Sequence, residues 1–356
     1  MRTRSGTGAW LRTPVIVVLT AASLLGGCSS APPDDPRDTA ARQAAIAFLD
    51  RYVDVDGRVV RRDQGGDSVS EGVSYALLLA QVAGDPERES LVWQWAKTRL
   101  VRPDGLLSFL AAPDGTVVDP QPATDADLVV AWALSRSTDA ELRADATPLA
   151  DAVRATTVVR RPPGPLLAAG PWAVGEPATF NPSYWVLPAL RGLGMSELTA
   201  TVPSALDSLT PGPASLPPDW ARLDGERLTP SPDPGGRYPD VRYGLDAQRT
   251  TVWLAVDCDP TSVGEAASHA PLLDDRPEAV SRSQRGEVVD GTPHPLGLVA
   301  AAAAAHAGGD TGARDALLDR AQALDQEEPT YYGSAWVALG RALLQTDRLD
   351  TCGRTR

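Results

Sequence analysis

Glu71, Asp125, Asp127, Tyr184 and Asp246 share one property: each falls at, or within about one turn of, the start of a predicted helix. In a helical barrel whose inner helices run the same way, such positions converge at one end. Several carboxylates around one cleft would shift each other's pKa values by like-charge repulsion, which is how acid and base roles are divided. The competing reading is structural, because Asp and Glu are favoured in first turns as caps and as partners of the helix dipole. Glu71 poses the choice most sharply, since Ser68-x-x-Glu71 has capping-box spacing ahead of an apolar helical run. Thr124-x-x-Asp127 mimics the same box, so Asp127 reads as mainly structural while Asp125, between them, is free to face a cleft. Asp246 reads as an N-cap, with Arg249 three residues on; the pair is either a surface ion pair or a base oriented by a guanidinium.

Other chemistries find little to work with. His269, His294 and His306 are scattered without metal-ligand spacing, and no Walker loop, G-x-S-x-G elbow or strand-borne G-x-G-x-x-G is present. The reading therefore names no metal and no cofactor.

The elements that must position these side chains are helical. Apolar residues recur at helical spacing over 44–52, after Ser70, and over 86–100 with Trp93 and Trp95. Further helices are expected at 128–134, 140–158, 183–193, a short one at 218–223, then 247–257, 260–270, 294–307, 310–325 and 331–346. Asn181-Pro182 marks one start by an N-cap residue followed by proline. Strands are confined to loops, among them a hairpin on Asp56-Gly57 and a pairing of Leu166–Ala168 with Trp172–Val174. The fold class is all-α, in one domain over 39–350.

The chain has 356 residues, 43% of them hydrophobic, enough for a sizeable core, and a net charge of −13. That balance argues against nucleic acid as a partner, because nothing could neutralise phosphates. A basic start (Arg2, Arg4), an apolar run over Val15–Leu25 and the sequence Leu25-Gly26-Gly27-Cys28 resemble a bacterial lipoprotein signal. Residues 1–27 are then the signal peptide, Cys28 the lipidated residue and 28–38 a tether; the plainer alternative is an ordinary signal peptide. Either way the domain is exported, to the outer face of the cell membrane or beyond. Cys258 and Cys352 remain, as a disulfide or as two free thiols.

Taken in order, Ser70-Glu71-Gly72-x-x-Tyr75, Ala123-Thr124-Asp125-Ala126-Asp127-Leu128, Asn181-Pro182-Ser183-Tyr184 and Tyr243-Gly244-x-Asp246-Ala247-x-Arg249 resemble the motifs of glycoside hydrolase family 8. The similarity extends to the late Tyr331-Tyr332-Gly333-Ser334. The resemblance implies an (α/α)6 barrel with a cleft across the inner-helix N-termini, and an inverting endo-acting hydrolase of β-1,4-linked polysaccharide. It matches Glu71 to the general acid, Asp246 to the general base and Asp125 to the residue gripping the sugar at the cleavage point. Tyr184 and Arg249 match that residue's neighbours, and Tyr332 is a further substrate-binding candidate. Ala76, Phe109 and Thr251 depart from the family pattern without removing a proton-transfer group.

The chain is rich in tryptophan, whose flat indoles suit sugar rings. Trp132, Trp253 and Trp336 fall inside helical patterns and read as core; Trp95 and Trp172, near helix ends or in loops, are the platform candidates. The expectation is a monomer acting on cellulose-like glucan, xylan or chitosan. The alternative is a glycan-binding accessory protein on the same fold.

Overall fold

A computed structural model describes residues 35–350 except 211, 213 and 214, together with 6, 8–10, 352 and 353. Cys28 and the apolar run before it lie outside the described residues. Residues from Asp35 onward form one compact unit.

Six helices are buried almost throughout: α2 (Ser70–Ala83), α4 (Thr124–Arg136), α6 (Leu187–Gly192), α8 (Leu245–Ala255), α11 (Pro295–Ala307) and α13 (Tyr331–Gln345). Each packs on the next in that order, and α13 returns to α2, so the ring closes. Around it stand α1 (Pro36–Tyr52), α3 (Pro86–Arg99), α5 (Ala140–Thr157), α7 (Ser196–Leu209), α9 (Pro260–Ser268) and α12 (Thr311–Glu327), each burying one side against the ring. The short α10 (Ala270–Leu273) follows α9. The result is an (α/α)6 barrel. Its composition explains the two layers: a helix apolar all round must be enclosed, while one with a single apolar stripe faces water.

The layers are also capped differently. In α1, α3, α5, α9 and α12 an aspartate at the N-cap (Asp35, Asp85, Asp139, Asp259, Asp310) accepts a bond from its own first turn. The inner helices α2, α4, α6 and α8 have Val69, Ala123, Val186 and Gly244 there and no side-chain cap. Their positive dipole ends lie at one mouth of the barrel, where any acceptor for the first-turn N–H groups has to come from elsewhere than the N-cap side chain.

Antiparallel hairpins fill the loops. One sheet joins β1 (Ser68–Val69), β2 (Leu110–Ala111) and β3 (Val117–Asp119); β4 (Val158–Arg161) pairs with β5 (Gly164–Leu167). A third sheet runs β6 (Ala178–Phe180), β7 (Trp220–Asp224), β8 (Arg227–Ser231), and β9 (Ala279–Arg282) pairs with β10 (Val288–Pro293).

Several expectations change. The 218–223 stretch is strand β7, not helix: Ala221 and Leu223 are buried while Arg222 and Asp224 are exposed, and Gly225 (φ 59°) turns the hairpin. Leu166 and Leu167 pair with β4 across Pro162-Pro163-Gly164, and Trp172 sits in a single 3-10 turn, Pro171–Ala173. The 183–193 helix is broken. Asn181 does accept from Ser183 N at 3.1 Å, but it caps only a 3-10 turn, and α6 restarts at Leu187 because Pro188 cannot continue a helix from Tyr184.

Neither capping box forms. Ser68 lies in β1 and its hydroxyl accepts from Arg58 Nε at 2.9 Å, so α2 begins at Ser70. The Thr124 hydroxyl donates to the Ala168 carbonyl at 2.7 Å, and Asp127 accepts the Leu107 N–H at 2.8 Å. Asp127 is structural, but as the anchor of a loop. Asp246 is likewise not an N-cap; Gly244 holds that place.

Cys258 and Cys352 form a disulfide, tying the segment after α8 to the end of the chain. Among the described residues no helix is long and apolar enough to cross a membrane.

Candidate active site

The uncapped mouth of the ring is a cleft of about 500 Å³. Glu71, Asp125, Tyr184, Asp246, Arg249 and Tyr332 all line it, so of the helix-start residues singled out in the sequence the structure brings together all but Asp127. At the floor lies Arg249, buried to 3% exposure. Its Nη1 donates to Glu71 Oε1 (2.7 Å) and to Asp125 Oδ2 (2.8 Å), and its Nη2 donates to Asp246 Oδ1 (2.8 Å). Three carboxylates from three inner helices therefore converge on one guanidinium. The Tyr184 ring stacks 5.5 Å from the same guanidinium and meets Trp220 edge-on at 6.2 Å. None of the three carboxylates caps its own helix by bridging to a later N–H; Asp125 Oδ1 touches only the adjacent Ala126 N–H.

The guanidinium also acts as a ruler. Its terminal nitrogens are about 2.3 Å apart by standard C–N lengths and planar geometry. With contacts of 2.7 and 2.8 Å on different nitrogens, the bound oxygens of Glu71 and Asp246 are held within roughly 8 Å of each other.

The three carboxylates differ in access to water: Asp246 is 33% exposed, Glu71 20% and Asp125 7%. Burial is the main force on Glu71 and raises its pKa to about 7; Arg249 pulls it down and Asp125 pushes it up, and neither overcomes desolvation. Burial also raises Asp125, against the opposing pull of Arg249. Burial thus favours the protonated form of Glu71 well above the ordinary carboxylate range. Its immediate setting is tight: a Cβ at Gly72 would lie 2.4 Å from the Tyr331 hydroxyl, so the turn carrying Glu71 admits only glycine there.

Asp219 and Trp220 also line the cleft, and sequence reasoning passed over both because their stretch was read as helix. The usable signal was the Asp224-Gly225 turn and the period-two alternation before it. The Trp95 assignment is corrected: the residue is 8% exposed, lies on outer helix α3 and packs into the core away from the cleft. Trp172 is 46% exposed, its Nε1 donating to the Pro122 carbonyl at 3.2 Å, beside Ala123 at the cleft wall. Trp132, Trp253 and Trp336 are core. Thr251, one of the departures, is engaged by the Tyr243 hydroxyl at 2.9 Å and by His269 Nδ1 at 3.0 Å. Among the described residues no cluster of His, Cys, Asp and Glu is arranged to hold a metal ion.

Comparison with known proteins identifies the class to which this closed double ring with its acidic cleft belongs. The profile of glycosyl hydrolases family 8 matches residues 37–343. The chain belongs to that family. It is 32% identical over 238 residues to a probable endoglucanase of Novacetimonas hansenii, covering 62% of this chain and 68% of that one. The endo-beta-1,4-glucanase of Acetobacter xylinum superposes with a TM-score of 0.73 at 23% identity, covering 87% of this chain and all (100%) of that one. A beta-1,3-1,4-glucanase from Paenibacillus sp. X4 superposes at 0.72 with 16% identity, over 88% and 94% of the two chains.

Proposed function

We propose that the protein is an inverting endoglucanase that cleaves β-1,4-linked glucan in the cleft, acting as a monomer. The observation that carries the reading is the convergence of Glu71, Asp125 and Asp246 on Arg249, with Glu71 raised to about 7. Glu71 is the general acid: it keeps its proton to neutral pH and gives it to the departing glycosidic oxygen. Asp246 is the general base: as the most water-accessible of the three, it takes a proton from the water that attacks the anomeric carbon from the opposite face. Inverting enzymes keep acid and base carboxyls roughly 6.5–9.5 Å apart to admit that water, and the ceiling of about 8 Å imposed by Arg249 is compatible with this range. Asp125, the most buried, grips the sugar ring at the cleavage point, with Tyr184 and Tyr332 lining the same cleft. Trp172 serves as an outlying stacking platform.

The similarity to a probable endoglucanase favours an unsubstituted or mixed-linkage glucan over xylan and chitosan. Purified residues 31–356 should release reducing ends from hydroxyethyl cellulose or mixed-linkage glucan with a rapid fall in viscosity. A folded protein inert on these, on xylan and on chitosan overturns the reading. Lipidation at Cys28 would hold the enzyme on the outer face of the membrane, and Cys28→Ser should then move it from the membrane fraction to the medium.

A further inference from the structure

Helix α8 carries both Asp246 and Arg249, yet its N-cap is Gly244, which has no side chain to occupy the free N–H groups. The acceptor comes from a distant part of the chain. Asp219, at the threshold of β7, is 7% exposed, and its Oδ1 accepts from Gly244 N at 2.9 Å and Ala247 N at 2.8 Å. Its own N–H donates to the Arg242 carbonyl at 2.8 Å, so one residue holds the chain on both sides of Tyr243. The fit requires glycine at 244, since a Cβ there would lie 2.4 Å from Asp219 Oδ2. Asp219 and Asp246 also feel each other: after burial, the Asp246 charge is the largest influence lifting Asp219 to about 7.

We propose that Asp219 is a positioning residue for Asp246, acting as a remote N-cap that fixes the first turn of α8 in the cleft. The inference rests on the reading of Asp246 as the base. Asp246 is a third exposed, and among the described residues its carboxylate is held by one side-chain bond, to Arg249 Nη2. Its aim then depends on the turn beneath it. A free N-terminal turn frays, and a base displaced by about 1 Å can cost on the order of 10²-fold in rate. Two N–H bonds onto a buried carboxyl remove that freedom without placing a side chain at 244.

The test compares Asp219→Asn, Asp219→Ala and Gly244→Ala, reading kcat, KM, melting temperature and amide exchange at Gly244 and Ala247. Asparagine keeps an Oδ1 acceptor, so Asp219→Asn should retain amide protection and most of kcat. Asp219→Ala should lose protection at both amides and about 10²-fold in kcat, with KM within about twofold. Gly244→Ala, which pushes the intact Asp219 aside, should reproduce that loss and covers the case in which Asp219→Ala does not fold. Unchanged protection or full kcat in a folded Asp219→Ala overturns the proposal, as does an asparagine variant no better than alanine. Asp246→Asn measured alongside separates the two levels. If it keeps full turnover the base assignment fails, while the exchange data judge the cap independently.

Discussion

Glu71 and Asp246 stand on different inner helices and are bound to different nitrogens of the same guanidinium, at 2.7 and 2.8 Å. One buried arginine thus limits how far apart these two carboxylates can lie. It also leaves the cluster short of positive charge, with three carboxylates to one cation. Desolvation consequently wins at Glu71, where a fully matched pair would have kept the group ionised.

Glu71→Gln removes the transferable proton and keeps the shape of the side chain. Turnover should fall by about 10³-fold or more, within the range general acids supply, while binding of cello-oligosaccharides by calorimetry stays within a few-fold. Retained turnover would mean that another group is the acid.

The pH profile follows from the raised Glu71. As the proposed acid it acts only when protonated, so kcat/KM should drop through an alkaline limb centred near 7, by about tenfold per pH unit beyond it. Stability carries the same sign. The folded-state pKa lies above the usual 4.5, so ionising Glu71 in the fold costs stability that is intact below that value and lost as pH rises through 7. Glu71→Gln should therefore gain melting temperature over wild type at pH 8 and not at pH 4.

Arg249→Met removes the one cation that, among the described residues, is bound to Glu71, Asp125 and Asp246. Leaving buried charge without its partner costs about 3–5 kcal/mol. Since Arg249 lowers the pKa of both Glu71 and Asp125, its loss drives them to protonate, and the deficit should be smaller at pH 5 than at pH 8. Urea denaturation at the two values measures it; an equal loss at both would mean that packing, not charge, is what Arg249 provides.

Asp127 separates structure from chemistry. Burial holds its pKa well above the ordinary range, and its Oδ1 accepts the Leu107 N–H at 2.8 Å. Asp127→Asn preserves the acceptor and should leave both stability and activity at pH 7 close to wild type. Asp127→Ala strands the Leu107 N–H and should cost about 1–3 kcal/mol, with activity per folded molecule unchanged.

The Cys258–Cys352 bond closes a loop of 94 residues. A Cys258→Ser, Cys352→Ser double variant should lose about 2–5 kcal/mol of stability, seen as a lower denaturant midpoint, with cleavage at 25 °C retained.

The convergence at the cleft was legible because helix starts leave local marks: Glu71, Asp125 and Asp246 do fall in the first turns of inner helices, although the caps those marks suggested do not form and Tyr184 lies in a 3-10 turn ahead of α6. What the marks could not convey is how long-range contacts would use them. Ser68 and Thr124 have cap spacing, but Ser68 is drawn into β1 and the Thr124 hydroxyl into a bond with Ala168. Asp219 caps α8 across a stretch of chain that no local pattern spans. Trp95 sat near a helix end, a reasonable place for a platform, but whether a helix is inner or outer is decided by the closed ring. The β7 stretch was lost because proline-rich surroundings masked a short alternation.

The ring closes only when α13 packs against both α1 and α2. Helix α1 can pack on its neighbour α2 early but meets its second partner, α13, only once that helix has been made, so the contacts that seal the barrel join distant parts of the chain. Tyr331 and Tyr332 arrive on that final helix, so the cleft wall is the last part to form. Assembly should be slow, cooperative and intolerant of losing the end of the chain, since topologies dominated by distant contacts fold late and expose apolar faces meanwhile.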